Sequence, residues 1–152
     1  MNPSTDDRQI RQLFEQLTAS WNTGNAGCYA SLFTADCDYL GCNAQYARGR
    51  QAIAQLCDQQ FRQGTAPRPL IHEVGSIRFL SPDIALVNGS ITQLGWDKDA
   101  PSSRHTLTNS FLIREQGEWI ITSFQCFSIS PSLPGGFLNA APASSGHRAV
   151  FA

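Results

Sequence analysis

From Asp6 to Asn22 apolar residues return every three or four positions, at Ile10, Leu13, Phe14, Leu17 and Trp21. That spacing draws one apolar stripe along a helix and predicts α-helix over 6–22. Ser4, Thr5 or Asp6 supplies a capping side chain, and Gly24 ends the helix. Tyr29, Leu32 and Phe33 mark a short second helix over 26–33. Ile53, Leu56, Cys57 and Phe61 mark a third over 49–63, closed by Gly64. Between them, "CDYLGC" (37–42) reads as a short strand. Pro67 and Pro69 bar helix from 65–69. Beyond Pro69 the pattern changes to alternation. Four strands are predicted, over 70–80, 83–96, 104–115 and 118–129, the last two joined by a tight turn at Gln116-Gly117. Three N-terminal helices segregated to one side of a mostly antiparallel sheet define an α+β, two-layer fold. A sheet of that size twists and curls, so helices and sheet together are expected to enclose a conical cavity.

The last hairpin sets the question of what that cavity contains. With Glu115 opposite Glu118, an unbroken register places Phe111 across from Thr122, Asn109 from Phe124 and Leu107 from Cys126. One face then carries Leu107, Asn109, Phe111, Ile113, Ile120, Thr122, Phe124 and Cys126. It is the more apolar face and is expected to look inward under the helices. The other face, with Thr106, Thr108, Ser110, Leu112, Ile121, Ser123, Gln125 and Phe127, mixes hydrogen-bonding and apolar groups. That mixture suits a dimer interface.

Composition narrows the classes. Hydrophobic residues make up 41% of 152, enough for a core, while charged residues are only 15%, low against roughly 25% for an average soluble domain. A weakly charged surface fits a surface partly covered by a second copy, so a homodimer through the outer sheet face is expected. Net charge is −1 with no basic run, which gives nucleic-acid binding no electrostatic support. No apolar run approaches the roughly 20 residues that span a bilayer, and the start is not a basic segment followed by an apolar one; a cytoplasmic protein is expected. Five cysteines without a C-x-x-C pair and three scattered histidines predict no metal site. No nucleotide-binding glycine fingerprint, flavin or haem motif occurs, so no cofactor is expected. Residues 131–152 are rich in Pro, Gly, Ala and Ser and read as a C-terminal arm or tail on a domain spanning 1–130.

Four stretches, "LTASWNTGNAGCYASLFTADCDYLG", "ARGRQAIAQLC", "LSPDIALVNG" and "RHTLTNSFLIREQGEWIITSFQ", resemble in order and spacing the NTF2-like superfamily, and within it the SnoaL-like, SgcJ/EcaC-type branch. The resemblance covers roughly residues 6–128. It implies a cone of curved sheet and helices with an internal pocket, usually dimeric, and leaves the chemistry to the pocket itself. The pocket is expected to be lined by Leu17, Trp21, Phe33, Leu40, Cys42, Phe61, Asn109, Phe111, Thr122, Phe124 and Cys126, with Tyr39 and Trp96 near its mouth.

Carrying over the ketosteroid-isomerase pattern puts its base at Cys42, its tyrosine at Leu17 and its protonated aspartate near Asn109 or Phe111, which does not predict that isomerisation. Two weak catalytic candidates stand. Asp38 would act as a general acid or base if buried among aromatics, or else is a carboxylate bonded to a neighbouring loop. Cys42 would need a cation or histidine nearby, such as His72, or else behaves as a small apolar residue. Two functions follow. One is a binder of a hydrophobic or aromatic small molecule, extending to a SnoaL-like enzyme. The other is a non-catalytic dimerisation or interaction module whose pocket is filled by its own side chains. A cavity of about 300 Å³ or more separates the first from the second.

Overall fold

The structure, a computed structural model, describes residues 3–42, 45–63, 69–94 and 104–128. Gly64, Trp96 and the proposed arm at 131–152 lie outside the described residues. The elements in order are α1 (Pro3–Asn22), α2 (Ala26–Ser31), β1 (Phe33–Leu40), β2 (Tyr46–Arg48), α3 (Arg50–Arg62), β3 (Leu70–Ser81), β4 (Ile84–Gln93), β5 (Arg104–Glu115) and β6 (Glu118–Ser128). The strands form one six-stranded sheet in the order β2-β1-β6-β5-β4-β3. β1 runs parallel to β6 and every other pairing is antiparallel. The three helices pack on one side of the sheet, giving the α+β cone that the alternation of periods predicts. No described helix is long and apolar enough to cross a membrane.

The stripe of α1 is the floor of the core: Ile10, Leu13, Phe14 and Leu17 are all buried, together with Phe33, Ile53, Leu112, Ile121 and Phe124. β1 starts four residues earlier than the expected strand. Phe33 lies opposite Ile121, yet the next paired residue is Asp38 opposite Ser123. The five-against-two mismatch bulges β1, so alternation is lost there and Thr34–Asp36 look like a turn in the sequence. β2 is three residues long, too short to show any period. At the start of α3, Gly49 has φ +90°, and its N–H bonds Cys37 O at 2.8 Å. A Cβ there would lie 2.8 Å from Ala35 O, so only glycine lets the helix start so close to β1.

The β5–β6 turn is as expected. Gln116 and Gly117 both have positive φ, at +52° and +81°, the geometry of a two-residue hairpin turn, and Glu115 pairs Glu118. The register above it is not. Leu112 pairs Ile121, but Phe111 pairs Ser123, so Thr122 is an extra residue, a β-bulge. The inward face is consequently different from the one expected. On β5 it carries Thr106, Thr108, Ser110 and Leu112; on β6 it carries Trp119 and Ile121 below the bulge and Phe124 and Cys126 above it. Leu107, Asn109, Phe111 and Ile113 stand on the convex face. The reason is space. Phe14, His72 and Phe124 crowd the concave side, where their rings meet at 4.8 and 6.3 Å, and a close-packed interior leaves only small side chains on β5 beneath them.

The narrow end of the cone is closed by a polar knot absent from the sequence-based expectations beyond Asp6 as a cap. Asp6, only 3% exposed, accepts from Trp119 Nε1 at 3.0 Å and Arg114 Nη2 at 2.8 Å. Arg114 also bonds Asp83 Oδ1 at 3.2 Å and lies 4.6 Å over the Trp119 ring. The bond from Trp119, then the Arg114 guanidinium, holds the Asp6 carboxyl below its ordinary pKa against the opposing pull of burial.

Candidate functional site

At the wide end of the cone is a notch of about 40 Å³, lined by Trp21, Tyr29, Tyr39, Gly41, Cys42, Gln60, Leu70, Ile91, Gln93, Thr106, Phe124 and Cys126. It is far below the roughly 300–1,000 Å³ of a small-molecule pocket, and holds about three water-sized groups. Its walls arise locally. α1 ends at Asn22, whose amide brackets Leu70 through Nδ2 to Leu70 O (3.1 Å) and Leu70 N to Oδ1 (2.9 Å); this ties Trp21 to the first residue of β3. Asn25 caps α2 by accepting from Cys28 N at 3.0 Å, which aims Tyr29 inward. Alternation on β1 turns Cys37 and Tyr39 inward and Leu40 away.

Aromatic rings fill most of the cone's interior. Tyr39 stacks on Phe124 at 5.5 Å with a 13° tilt, Phe33 meets Phe124 edge-on at 5.9 Å, and Phe61 meets Trp21 at 5.1 Å. Three polar features remain. The Tyr29 and Tyr39 hydroxyls lie 3.1 Å apart in a mutual hydrogen bond. Trp21 Nε1 is buried with no partner among the described groups. Cys126 is hydrogen-bonded to Cys42. Burial raises both phenols well above their ordinary pKa. The Cys126 thiol is raised first by its bond to Cys42 and then by burial. Every group whose shift is resolved here is therefore held neutral. Among the described residues the lining contains no carboxylate, cation or histidine; its polar groups are hydroxyls, side-chain amides, an indole and two thiols, which donate and accept hydrogen bonds.

Of the expected pocket residues, Trp21, Cys42, Phe124 and Cys126 come together at the notch. Leu17 and Phe33 are buried in the core and Phe61 backs Trp21. Four expectations are corrected. Leu40 faces the convex side because Tyr39 takes the inward place. Asn109 accepts from Asn88 Nδ2 at 2.9 Å on the convex face. Phe111 is 36% exposed on that same face. Thr122 is the bulge residue, bonded by Thr34 Oγ1 at 3.3 Å. Asp38 is also corrected: it is exposed and accepts from Tyr46 Oη at 2.8 Å, a structural carboxylate outside the notch. His72 lies against Phe124 with Nε2 3.1 Å from Thr108 Oγ1, and burial lowers it to about 4. It is neutral near pH 7 and supplies no cation to a thiolate. The sequence reading missed Tyr29, Gly41, Gln60, Leu70, Ile91, Gln93 and Thr106; the phase of Tyr29 on its short helix was the one usable signal. Among the described residues no cluster of His, Cys, Asp or Glu could hold a metal.

A larger depression of about 590 Å³ opens at the other end, between Gln9, Gln12 and Gln16 of α1 and the Glu115–Glu118 turn. Its lining is predominantly polar and open to solvent, which makes it a surface groove.

The chain belongs to the SnoaL-like domain family, whose sequence model matches residues 10–129, and so to the NTF2-like superfamily. It is similar in fold to a domain of unknown function with a cystatin-like fold from Nostoc punctiforme (21% identity, TM-score 0.75, covering 95% of this chain and 91% of that one). It is similar also to a putative scytalone dehydratase from Novosphingobium aromaticivorans (17%, TM-score 0.68, 83% and 85%). A third likeness is to a ketosteroid isomerase-like protein from Erwinia carotovora atroseptica (17%, TM-score 0.66, 82% and 96%). At these identities the likeness is one of fold. No curated protein matches the chain.

Proposed function

We propose that this domain is a self-association module: a cone filled by its own aromatic side chains, pairing through the convex face of its sheet with a second copy. The observation that carries the reading is the contrast between the 40 Å³ notch and an apolar convex face. Register places Phe127 beside Leu107, Phe111 beside Leu86, and Ile120, Ile113 and Ile84 in one row, on either side of an amide row of Gln125, Asn109 and Asn88. Phe127 is 49% exposed and Ile84 39%, an unusual exposure for side chains that stabilise by leaving water. Apolar rows around hydrogen-bonding amides have the composition of a protein interface, and the low overall charge supports a second copy as the occupant. In size-exclusion chromatography with light scattering the protein is expected to run as a dimer. Phe111→Lys together with Phe127→Lys should give a monomer with unchanged far-UV circular dichroism. A monomeric parent protein at micromolar concentration would overturn the reading.

A second reading has one specific observation in its favour, the unpartnered Trp21 Nε1. A small, uncharged ligand bearing a hydrogen-bond acceptor, such as a carbonyl compound, would satisfy it, with the Tyr29–Tyr39 pair as further donor. The structural neighbours described as a putative scytalone dehydratase and a ketosteroid isomerase-like protein lend this reading a functional precedent. Binding should quench the indole fluorescence of Trp21 in the parent and leave Trp21→Phe silent. A screen of small ketones and phenols without any response removes it. The order and spacing of the four quoted stretches support placing the chain within the SgcJ/EcaC-type branch under either reading.

A further inference from the structure

Two of the five cysteines meet. Cys42 follows Gly41 in the turn after β1, Cys126 lies on β6, and both line the notch with their side chains hydrogen-bonded. The end of β1 beside β6 and the turn that follows it account for the meeting. Leu40, opposite Gln125, is the last residue of β1; Cys42 lies beyond it in the turn, outside the strand's alternation, and reaches the notch beside Cys126. A disulfide spans Cα separations of roughly 4.4–6.8 Å, and Cys42, in the turn beyond β1, is not held in the sheet's register and can adjust.

We propose that Cys42 and Cys126 form a redox-active dithiol that a peroxide closes to a disulfide, stapling the end of β1 to β6 across the notch. The two sulfurs differ in access. Cys42 is half-buried, whereas Cys126 is buried and its thiol is held protonated as the partner of Cys42. Cys42 is thus the attacking sulfur and Cys126 the resolving one. Cys42 loses its proton and attacks one peroxide oxygen; the O–O bond breaks, and the other oxygen leaves with that proton as an alcohol or water. The resulting sulfenic acid is attacked by Cys126. The S–O bond breaks, the S–S bond forms, and hydroxide departs with the Cys126 proton as water. Two thiols lose two electrons and one peroxide gains them. The other cysteines lie outside the notch. Burial pushes Cys37 and Cys57 up to about 12, and Cys28 is exposed on α2, on a different element from the pair. The inference is independent of self-association.

The test uses the full chain. After brief treatment with equimolar hydrogen peroxide, the protein is unfolded, alkylated and mapped by mass spectrometry without reduction. The expected result is loss of the mass of two hydrogens, a Cys42–Cys126 cross-linked peptide, alkylation confined to the other three cysteines, and reversal by dithiothreitol. In Cys126→Ser, dimedone should label Cys42; in Cys42→Ser, the intramolecular bond should be absent. Five alkylated thiols in the treated parent, cross-links through Cys28 alone, or Cys42 oxidised to sulfinic acid without a disulfide would each overturn the proposal. The mapping of the parent protein decides the matter even if a serine variant fails to fold.

Discussion

Single atoms carry the clearest costs in this fold. Ser110 Oγ is fully buried with no hydrogen-bond partner among the described residues, and an unsatisfied buried hydroxyl costs about 1–3 kcal/mol. Ser110→Ala should therefore be neutral or stabilising by up to about 1 kcal/mol in urea denaturation; a clear loss would mean that the hydroxyl is satisfied. His72 supplies a pH signature. It titrates near 6.5 when unfolded and about 4 in the fold, because burial against Phe14 and Phe124 disfavours its charge. Below 6.5 the unfolded chain takes up a proton that the folded one refuses. Stability should thus fall as pH drops from about 6.5 to about 4, by up to about 1.4 kcal/mol per pH unit, and level off below. A His72→Gln variant should lose that slope in denaturation curves taken across the window. Neither effect was legible in the sequence, because Ser110 and His72 sit in strands where either face could have been the wet one.

At the level of elements, the glycine stop after α1 and the hairpin turn were legible, whereas side-chain caps and register were not: Ser4, Thr5 and Asp6 lie inside α1, and the cap that forms is Asn25 on α2. The hairpin turn at Gln116-Gly117 could be located because two-residue turns demand positive φ, which glycine accommodates. The bulge at Thr122 could not, because it leaves no compositional mark and one extra residue inverts the phase of everything beyond it. Gly49 joins α3 to β1 with no room for a methyl group. Gly49→Ala should cost at least about 1–2 kcal/mol, given the positive φ and the contact with Ala35 O. Gly117→Ala, with the same sign of φ but open space around it, should cost less in the same chemical denaturation. The Asp6 knot binds three elements at once. Asp6→Asn should lower the melting temperature clearly more than Asp7→Asn, whose exposed pair with Arg11 is worth about 0–1 kcal/mol. Because Asp6 titrates lower in the fold than out of it, its stabilisation is complete above the unfolded carboxylate range and fades as pH falls through the folded pKa. The two variants should converge in melting temperature only in strong acid.

The whole molecule is a cone whose usual hollow is occupied by stacked rings. That arrangement moves the apolar surplus from a pocket to the outside of the sheet. If the convex face pairs with a second copy, the melting temperature should rise with protein concentration in the parent, because association stabilises the folded chain by mass action. In the Phe111→Lys, Phe127→Lys double variant it should be flat. A concentration-independent melting temperature in both proteins would count against self-association.

Sequence alone was sufficient for the kinds and order of the elements apart from β2, the segregation of helices from strands, the last hairpin turn and the family. These depend on periods and turn residues that each segment carries within itself. Tertiary structure decided which face of β5 looks inward, that the cone is filled, that Asp6 binds Arg114 and Trp119, and that Cys42 meets Cys126. Alternation along a strand has a period but no sign. The sign comes from what packs against it, and here bulky rings from α1, β3 and β6 claimed the concave side and left the apolar residues of β5 facing out.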